Sequence, residues 1–313
     1  MATYLVTGGA GFIGSNLVEA LLARGERVRV IDNFSTGKRE NLAELSGDLT
    51  IIEGDITDLP AVQTAMRGVD YVLHQAAIAS VQSSVRDPVA TDRTNVLGTL
   101  HVLQAAHTAG VRRVVYAASS AAYGESAADK QREDLPTRPL SPYGVSKLAG
   151  ELYCAAFYTV FGLETVALRY FNVFGPRQDP NSEYSAVIPR FINALLAGHQ
   201  PVIYGDGEQT RDFTYIANVV DGNLRALVAP GAPGQTFNLA TGDRVSLNQL
   251  VKALGELLAA PVRPEYAPAR LGDIRASSAD IGRAQSVLGY APVVDFNAGL
   301  EATLAWFREG RPG

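Results

Sequence analysis

The sequence predicts an α/β fold: a doubly wound parallel sheet with a smaller, interleaved α/β lobe. Three observations predict it. A short apolar strand, Tyr4-Leu5-Val6, runs directly into glycines at 8, 11 and 14 and then into an amphipathic segment. Short β-branched runs alternate with helical patterns up to residue 170, the rhythm of βαβ units joined by right-handed crossovers. After Tyr170 proline and glycine become frequent (Gly175-Pro176, Pro180, Pro189, Pro201, Gly205, Gly207) and the elements shorten. Residues 1–170 are therefore expected to form the sheet domain, with chain crossing back to it from the C-terminal part, and residues 171–313 the lobe.

Taken in order, the first helix carries Phe12, Ile13, Leu17, Val18, Leu21 and Leu22 at helical spacing and is stopped by Gly25. A second strand over 28–31 ends at Asp32, and a third over 49–52 leads to Asp55-Ile56. The fourth, 71–73, is followed by His74-Gln75-Ala76-Ala77, whose small side chains allow close approach of a ligand to the backbone. A long helix is expected over 88–109, with Asn95 inside it. The fifth strand, 114–117, delivers Ser119 at its end; a helix over 142–161 and a strand over 166–168 follow. In the lobe, helical spacing recurs over 218–228, 246–258 and 300–307.

Two stretches carry chemistry. Gly8, Gly11 and Gly14 have G-x-x-G-x-x-G spacing between a strand and a helix, so the backbone can approach a pyrophosphate and meet it with free helix N–H groups. Asp32, closing the second strand, can accept hydrogen bonds from an adenosine ribose and repel a 2′-phosphate, which selects NAD over NADP. Strand, glycines, helix, strand and acid in that order make a dinucleotide site. Tyr143 and Lys147 stand one helical turn apart on one face. A free phenol titrates near pH 10 and is a poor base at neutrality, but a fixed ammonium favours the phenolate and is expected to lower that value. With Ser119 they would form a proton-transfer group beside a hydride acceptor. A lone Y-x-x-x-K is weak; its company gives it meaning.

Bulk properties narrow the partners. Of 313 residues 47% are hydrophobic and 19% charged, and the formal net charge is -5, so nothing argues for nucleic acid or an anionic membrane as partner. The single cysteine, Cys154, excludes an internal disulfide and a cysteine metal cage; no metal site is expected. No 18-residue apolar run and no basic-then-apolar leader pattern is present, and a cytoplasmic protein off the membrane is the expectation.

These residues resemble the extended short-chain dehydrogenase/reductases, and among them the nucleotide-sugar 4-epimerases, over essentially the whole chain. The matching stretches are 4–14, Asp32-Asn33, Asp55-Ile56, 74–77, 119–124, 143–147, 168–176, 205–215 and 270–280. The branch acting on UDP-N-acetylhexosamines and their uronic acids has segments like Leu140-Ser141-Pro142-Tyr143 and Arg177-Gln178-Asp179-Pro180-Asn181. The resemblance implies a Rossmann domain holding NAD through Gly8, Gly11, Phe12, Ile13, Gly14, Asp32, Asn33, Ser35, Asp55, Ile56, Gln75, Ala76, Ala77, Asn95, Tyr143, Lys147 and Tyr170. It implies Tyr143 as base, Lys147 as its electrostatic partner, and Ser119 as the hydroxyl on the reacting oxygen. A UDP-hexose would be held by Ser80, Ser119, Ser120, Tyr143, Asn172, Val187, Tyr204, Arg211, Arg270, Asp273 and Ser277. The two arginines would sit near the diphosphate, where charge-assisted bonds are strong, and Asp273 on the uridine ribose. A homodimer through 88–109 and 142–161 is implied by the resemblance alone.

The implied reaction is oxidation at carbon 4, rotation of the keto-sugar, and reduction on the opposite face, with NAD retained. Dehydratases and decarboxylases of the superfamily usually carry an acid just after the Ser/Thr; Ser119-Ser120-Ala121-Ala122-Tyr123-Gly124 has none. A dehydratase, decarboxylase or reductase is the alternative, and a non-catalytic cofactor-sensing regulator a further one, against which the intact Ser119, Tyr143 and Lys147 argue. Ser277 is aligned to the gate for the 2-substituent, where a small residue accompanies acceptance of an acetamido group; in the bland alternative Ser278 merely caps a following helix.

Overall fold

A computed structural model describes residues 1–125, 128–180, 186–269 and 276–310. Seven parallel strands form the central sheet. In chain order they are β1 (Thr3–Thr7), β2 (Arg27–Asp32), β3 (Leu49–Glu53), β4 (Tyr71–His74), β5 (Arg113–Ser119), β6 (Glu164–Tyr170) and a last strand, Thr236–Leu239. Across the sheet the order is Thr236–Leu239, β6, β5, β4, β1, β2, β3, so the winding reverses between β1 and β4. In such sheets ligands bind in the crevice at the C-terminal ends of the strands flanking that reversal. Thr7 and His74, in register as the last residues of β1 and β4, stand there.

Apart from the exposed edge strand β3, the strands are apolar on both faces, as a sheet covered on both sides requires. Neighbouring residues alternate between two cores. Val6, Val30, Leu73, Val115 and Val166 pack with helices Phe12–Ala23 and Ile216–Val228. Leu5, Ile31, Val72, Val114 and Ala167 pack with Leu59–Met66, Gly98–Ala109 and the Cys154 side of Pro142–Phe161. A third core fills the lobe, where Ile188, Phe191 and Ile192 meet Leu250, Leu254, Leu300 and Leu304 around Phe174, Phe213 and Phe296.

The α/β fold class and all six expected strands are present, and helix Pro142–Phe161 has its expected ends. Ser141 caps it by accepting from the Gly144 N–H at 3.1 Å, Pro142 fills its first turn, and Gly162 ends it in a left-handed conformation. Other expectations need correction. The stretch 88–109 is not one regular helix: Pro88–Asp92 passes through a π-helical turn, Arg93–Leu97, into Gly98–Ala109, and a separate short helix, Val81–Arg86, precedes it. Helix Val187–Leu196 is not among the expected helices; its Pro189 falls in the first turn, where no intrahelical N–H bond is lost. The strand Thr236–Leu239 was too short to read as one. Ser278 caps no helix: it is buried, and Asp280 accepts the Gly282 N–H as the next helical turn begins.

One close approach sets how helix Pro142–Phe161 lies on the sheet. Gly150 passes over Tyr116 of β5, whose hydroxyl donates to the Lys147 carbonyl at 3.3 Å; a Cβ at Gly150 would fall 2.3 Å from that hydroxyl oxygen. Gly150→Ala is expected to overpack this contact and cost about 1–3 kcal/mol. Denaturant unfolding of the two proteins checks it, and an unchanged midpoint would contradict the packing described.

Candidate active site

The glycine loop is built by close contacts. Gly8 has φ +66°, and a Cβ there would lie 2.7 Å from the Ala76 nitrogen; one on Gly14 would lie 2.1 Å from the Gly8 carbonyl oxygen. Helix Phe12–Ala23 begins at Gly11, and no side chain caps it. Its first-turn N–H groups, next to the half-buried Phe12 and Ile13, remain available to an anion. Asp32 is buried and braces the loop, accepting from the Ala10 N–H at 2.9 Å and the Phe34 N–H at 2.8 Å. Beside it Asn33 donates to Asp55 at 2.8 Å and accepts from the Ser35 N–H and hydroxyl. Burial raises the Asp55 carboxyl, but bonds from Thr57 and Asn33 outweigh it and hold the group below its ordinary value. Ile56 turns inward against Gly98 and is only 4% exposed. A cradle that any Cβ would fill, an uncapped helix start and an acid at the end of β2 together fit a dinucleotide.

From β4 a buried polar chain leads toward the helix of Tyr143. The Ala76 N–H meets the Thr7 hydroxyl at 3.1 Å, and that hydroxyl meets His74 Nδ1 at 2.7 Å. His74 Nε2 lies 2.9 Å from the Thr99 hydroxyl, which donates to the Asn95 carbonyl at 2.6 Å. Since the Thr99 proton is committed to Asn95, Thr99 accepts from Nε2–H, and Nδ1 accepts from Thr7. Burial, helped by the nearby Lys147 charge, lowers the His74 pKa to about 3, so the ring is neutral. Asn95 sits in the π-helical turn with its side chain fully engaged. It accepts the Ile78 N–H at 2.8 Å and donates to the Ile78 carbonyl and, at 2.9 Å, to Ser146. Ser146 donates to the Tyr143 carbonyl at 2.8 Å. Asn95 thus ties the loop after β4 to the helix of Tyr143.

Ser119 ends β5, where its hydroxyl accepts the Ala121 N–H at 3.2 Å and lies near enough to the Tyr143 phenol to favour its phenolate. Lys147, 4% exposed, places Nζ 4.7 Å from the centre of the Tyr116 ring. Here the electrostatic expectation needs correction. Burial pushes the Tyr143 phenol up, with only Ser119 working against it, and burial pulls Lys147 down to about 7. Desolvation dominates the phenol, and the expected pull of the Lys147 ammonium is not among the influences on it. Tyr170 donates to Asn223 at 3.0 Å and accepts from Gln75 at 3.1 Å, and burial raises it to about 12. Ala77 is half-buried beside Ala76 on the loop after β4.

The remaining expected residues lie on the lobe side or on loops facing it. Ser80 caps Val81–Arg86 through the Ser83 N–H, and Ser120 opens the 3-10 turn Ser120–Ala122. Asn172, with φ +23°, donates to the Asp212 carbonyl at 3.3 Å. Val187 begins its helix, Tyr204 ends the strand Val202–Tyr204, and Arg211 lies in Thr210–Arg211, donating to the Thr210 carbonyl. Ser277, 8% exposed, donates its N–H to the same Thr210 carbonyl at 3.1 Å, which puts it beside Arg211. Arg270 and Asp273 lie outside the described residues. Asp212 was noticed in the sequence only as one polar group among several. Buried, it accepts from the Thr241 N–H and hydroxyl and from the Gly242 and Ala279 N–H groups, clasping the Ser277 segment. Thr7, Thr99 and Ser146 carried no signal, since isolated hydroxyls have no spacing to read.

Comparison with known proteins agrees with this geometry. Residues 4–240 match the model of the NAD dependent epimerase/dehydratase family. The chain belongs to that family. It is 42% identical to a UDP-glucose 4-epimerase of Mycolicibacterium smegmatis, over 97% of this chain and 98% of the relative. It is 38% identical to a dTDP-glucose 4,6-dehydratase of Streptomyces griseus, over 99% and 96%. Among solved structures, a UDP-N-acetylglucosamine 4-epimerase from Methanobrevibacter ruminantium, in complex with UDP-N-acetylmuramic acid, superposes with a TM-score of 0.95 at 40% identity, covering 99% of both chains. Among the described residues no helix is long and apolar enough to cross a membrane.

The neutral His74 gives a pH prediction. Its folded value, about 3, lies below the unfolded 6.5, so its contribution to stability is whole above pH 6.5 and is lost as pH falls toward 3. The unfolded chain binds the extra proton in that window, and the slope approaches about 1.4 kcal/mol per pH unit. Urea midpoints of parent and His74→Gln between pH 7 and 4 should converge as the pH falls; parallel curves would show that His74 is not held neutral.

Proposed function

We propose that this chain interconverts the carbon-4 epimers of a UDP-hexose, retains its NAD throughout, and admits N-acetylated sugars (UDP-GlcNAc and UDP-GalNAc) as well as UDP-Glc and UDP-Gal. The observation that carries the reading is Ser119, at the end of β5, paired with the phenol of Tyr143 at the start of its helix, with the buried Lys147 one turn further on. When bound there, NAD supplies the acceptor and donor of hydride at carbon 4. The protein moves the proton. Tyr143 takes it from the 4-hydroxyl in one half-reaction and returns it in the other, while Ser119 hydrogen-bonds the reacting oxygen. Lys147, which burial brings to about 7, favours the phenolate while it is protonated and would hold a ribose hydroxyl of the nucleotide. The sugar must present both faces to one Tyr143, so it turns while its diphosphate stays with Arg211 and Arg270.

The dehydratase reading is weighed by one absence. Eliminating a β-hydroxyl needs an acid and a base placed at the neighbouring carbon, and residues 120–124 supply neither. Acceptance of an acetamido group is supported by the small side chain of Ser277 next to the strand of Arg211. A cytoplasmic homodimer fits the buried thiol of Cys154 and the exposed apolar residues Val89, Leu97, Val145 and Leu152 on the two long helical stretches.

Purified protein given a UDP-sugar and no added NAD should form the 4-epimer. Tyr143→Phe should keep its nucleotide and lose about 100- to 10,000-fold in rate; product analysis by NMR decides, and a variant within tenfold of the parent would end the assignment of the base. Ser277→Tyr places a ring against a buried position and is expected to slow the N-acetylated sugar about 5- to 150-fold, the rate equivalent of a 1–3 kcal/mol overpacking cost, while sparing UDP-glucose. If both sugars kept the parent's ratio, Ser277 would not be the gate.

A further inference from the structure

One step behind the catalytic residues lies a buried ion pair. Arg169 on β6 and Glu151 on helix Pro142–Phe161 have side chains 4% and 9% exposed. The guanidinium grips the carboxylate with two prongs, Nε to Oε2 at 2.9 Å and Nη2 to Oε1 at 2.6 Å. Glu151 stands one helical turn beyond Lys147, so the grip fixes the helix that carries Tyr143 and Lys147 against the sheet. The same guanidinium lies over the Tyr123 ring, its Cζ 4.5 Å from the ring centre. Tyr123 follows the turn that begins at Ser119: its N–H bonds the Ser120 carbonyl at 3.1 Å, and the Ala121 N–H bonds Ser119 itself. The far side of Tyr123 is fixed as well, its hydroxyl donating at 2.6 Å to Asn238, the cross-strand neighbour of Arg169. Arg169 therefore touches both the helix that carries Tyr143 and the residue that closes the turn after Ser119, the two elements whose separation sets how Ser119 meets Tyr143.

Stability does not account for the pair. Two charges leave water to form it, and replacing a buried ion pair by apolar side chains of similar volume is often neutral or stabilising. Nη1 of Arg169 is also buried without a hydrogen-bond partner among the described residues, a cost the pair carries in addition. A planar two-pronged contact fixes distance and direction together, which neither a lysine nor an aliphatic contact does.

We infer that Arg169 is a positioning residue for proton transfer: through Glu151 and Tyr123 it holds the Tyr143 helix and the Ser119 turn in register, and it acts on the rate through Ser119. The inference rests on the reading of Ser119 and Tyr143 as the proton-transfer pair. Removing one charge alone strands the other in the interior, so Arg169→Met by itself is a poor probe. The informative proteins are Arg169→Lys and the paired Glu151→Met with Arg169→Met, each made in the parent and in Ser119→Ala, all assayed as the NAD-loaded enzyme. The Met pair is expected to melt within a few degrees of the parent, bind UDP-sugar with unchanged KM, and lose about 100-fold in kcat, the scale of a misplacement near one ångström. Arg169→Lys, which keeps the charge without the fork, should fall between the two. In Ser119→Ala the Met pair should cost less than about threefold more, because the hydroxyl it would misplace is already gone. Losses that multiply in full, a kcat like the parent's, or a loss carried by KM would each overturn the inference. The epimerase reading fails separately, by the parent giving no epimer from any UDP-hexose; the same cycle is then read as NADH absorbance with whichever UDP-sugar reduces the bound nucleotide.

Discussion

Between the ends of the central strands β1 and β4 and their covering helices lie buried polar groups. A buried donor or acceptor left alone costs about 1–3 kcal/mol, so each must be answered within a few ångströms. The run from Ala76 through Thr7, His74 and Thr99 to the Asn95 carbonyl answers all of them in one direction only, because Thr99 has a single proton to give. That ordering fixes the His74 tautomer and ties the end of β1, which enters the glycine loop, to the loop after β4. The Asn95 side chain extends the same logic to Ser146 and the Tyr143 carbonyl. The cofactor cradle and the helix bearing the base are in this way parts of one rigid body.

That body also explains the π-helical turn at Arg93–Leu97. The extra residue in the turn lets Asn95 satisfy Ile78 through both its groups and still reach Ser146, while Thr99 bonds the Asn95 carbonyl. Such turns are rare and concentrate where a side chain must be aimed. Gly98, directly after it, is required for a second reason, since a Cβ there would collide with Ile56 at 2.6 Å.

Much of this was legible in the sequence where a single residue type can meet a physical demand. Glycines at 8, 11 and 14, an acid closing β2, and a phenol and ammonium one turn apart each answer a local requirement, and local requirements leave spacing behind. What escaped reading was assembled from distant parts. Asp212 looks like any surface acid until Thr241, Gly242 and Ala279 bring their N–H groups to it. Arg169 and Glu151 are 18 positions apart and on different elements, so no periodicity links them. The π turn was read as plain helix because its sequence has no breaker. The lowered pKa expected for Tyr143 failed because burial, which only the folded chain creates, dominates the phenol.

The strand Thr236–Leu239 has a consequence for how the chain is made. It pairs with β6 along its whole length, and helix Ile216–Val228 covers the same sheet, yet both are synthesised after residue 210. A nascent chain that has reached Tyr170 already holds the glycine loop and Ser119, Tyr143 and Lys147 but ends in an open parallel edge. At about 5–20 residues per second that edge waits some seconds for its partner. An unpaired apolar edge is a template for wrong pairing, so the interval is when the chain is most exposed to aggregation and most in need of a chaperone. The charged Arg169, next to last in β6, lies on that edge, and a charge on an open edge discourages a stray strand from adding there.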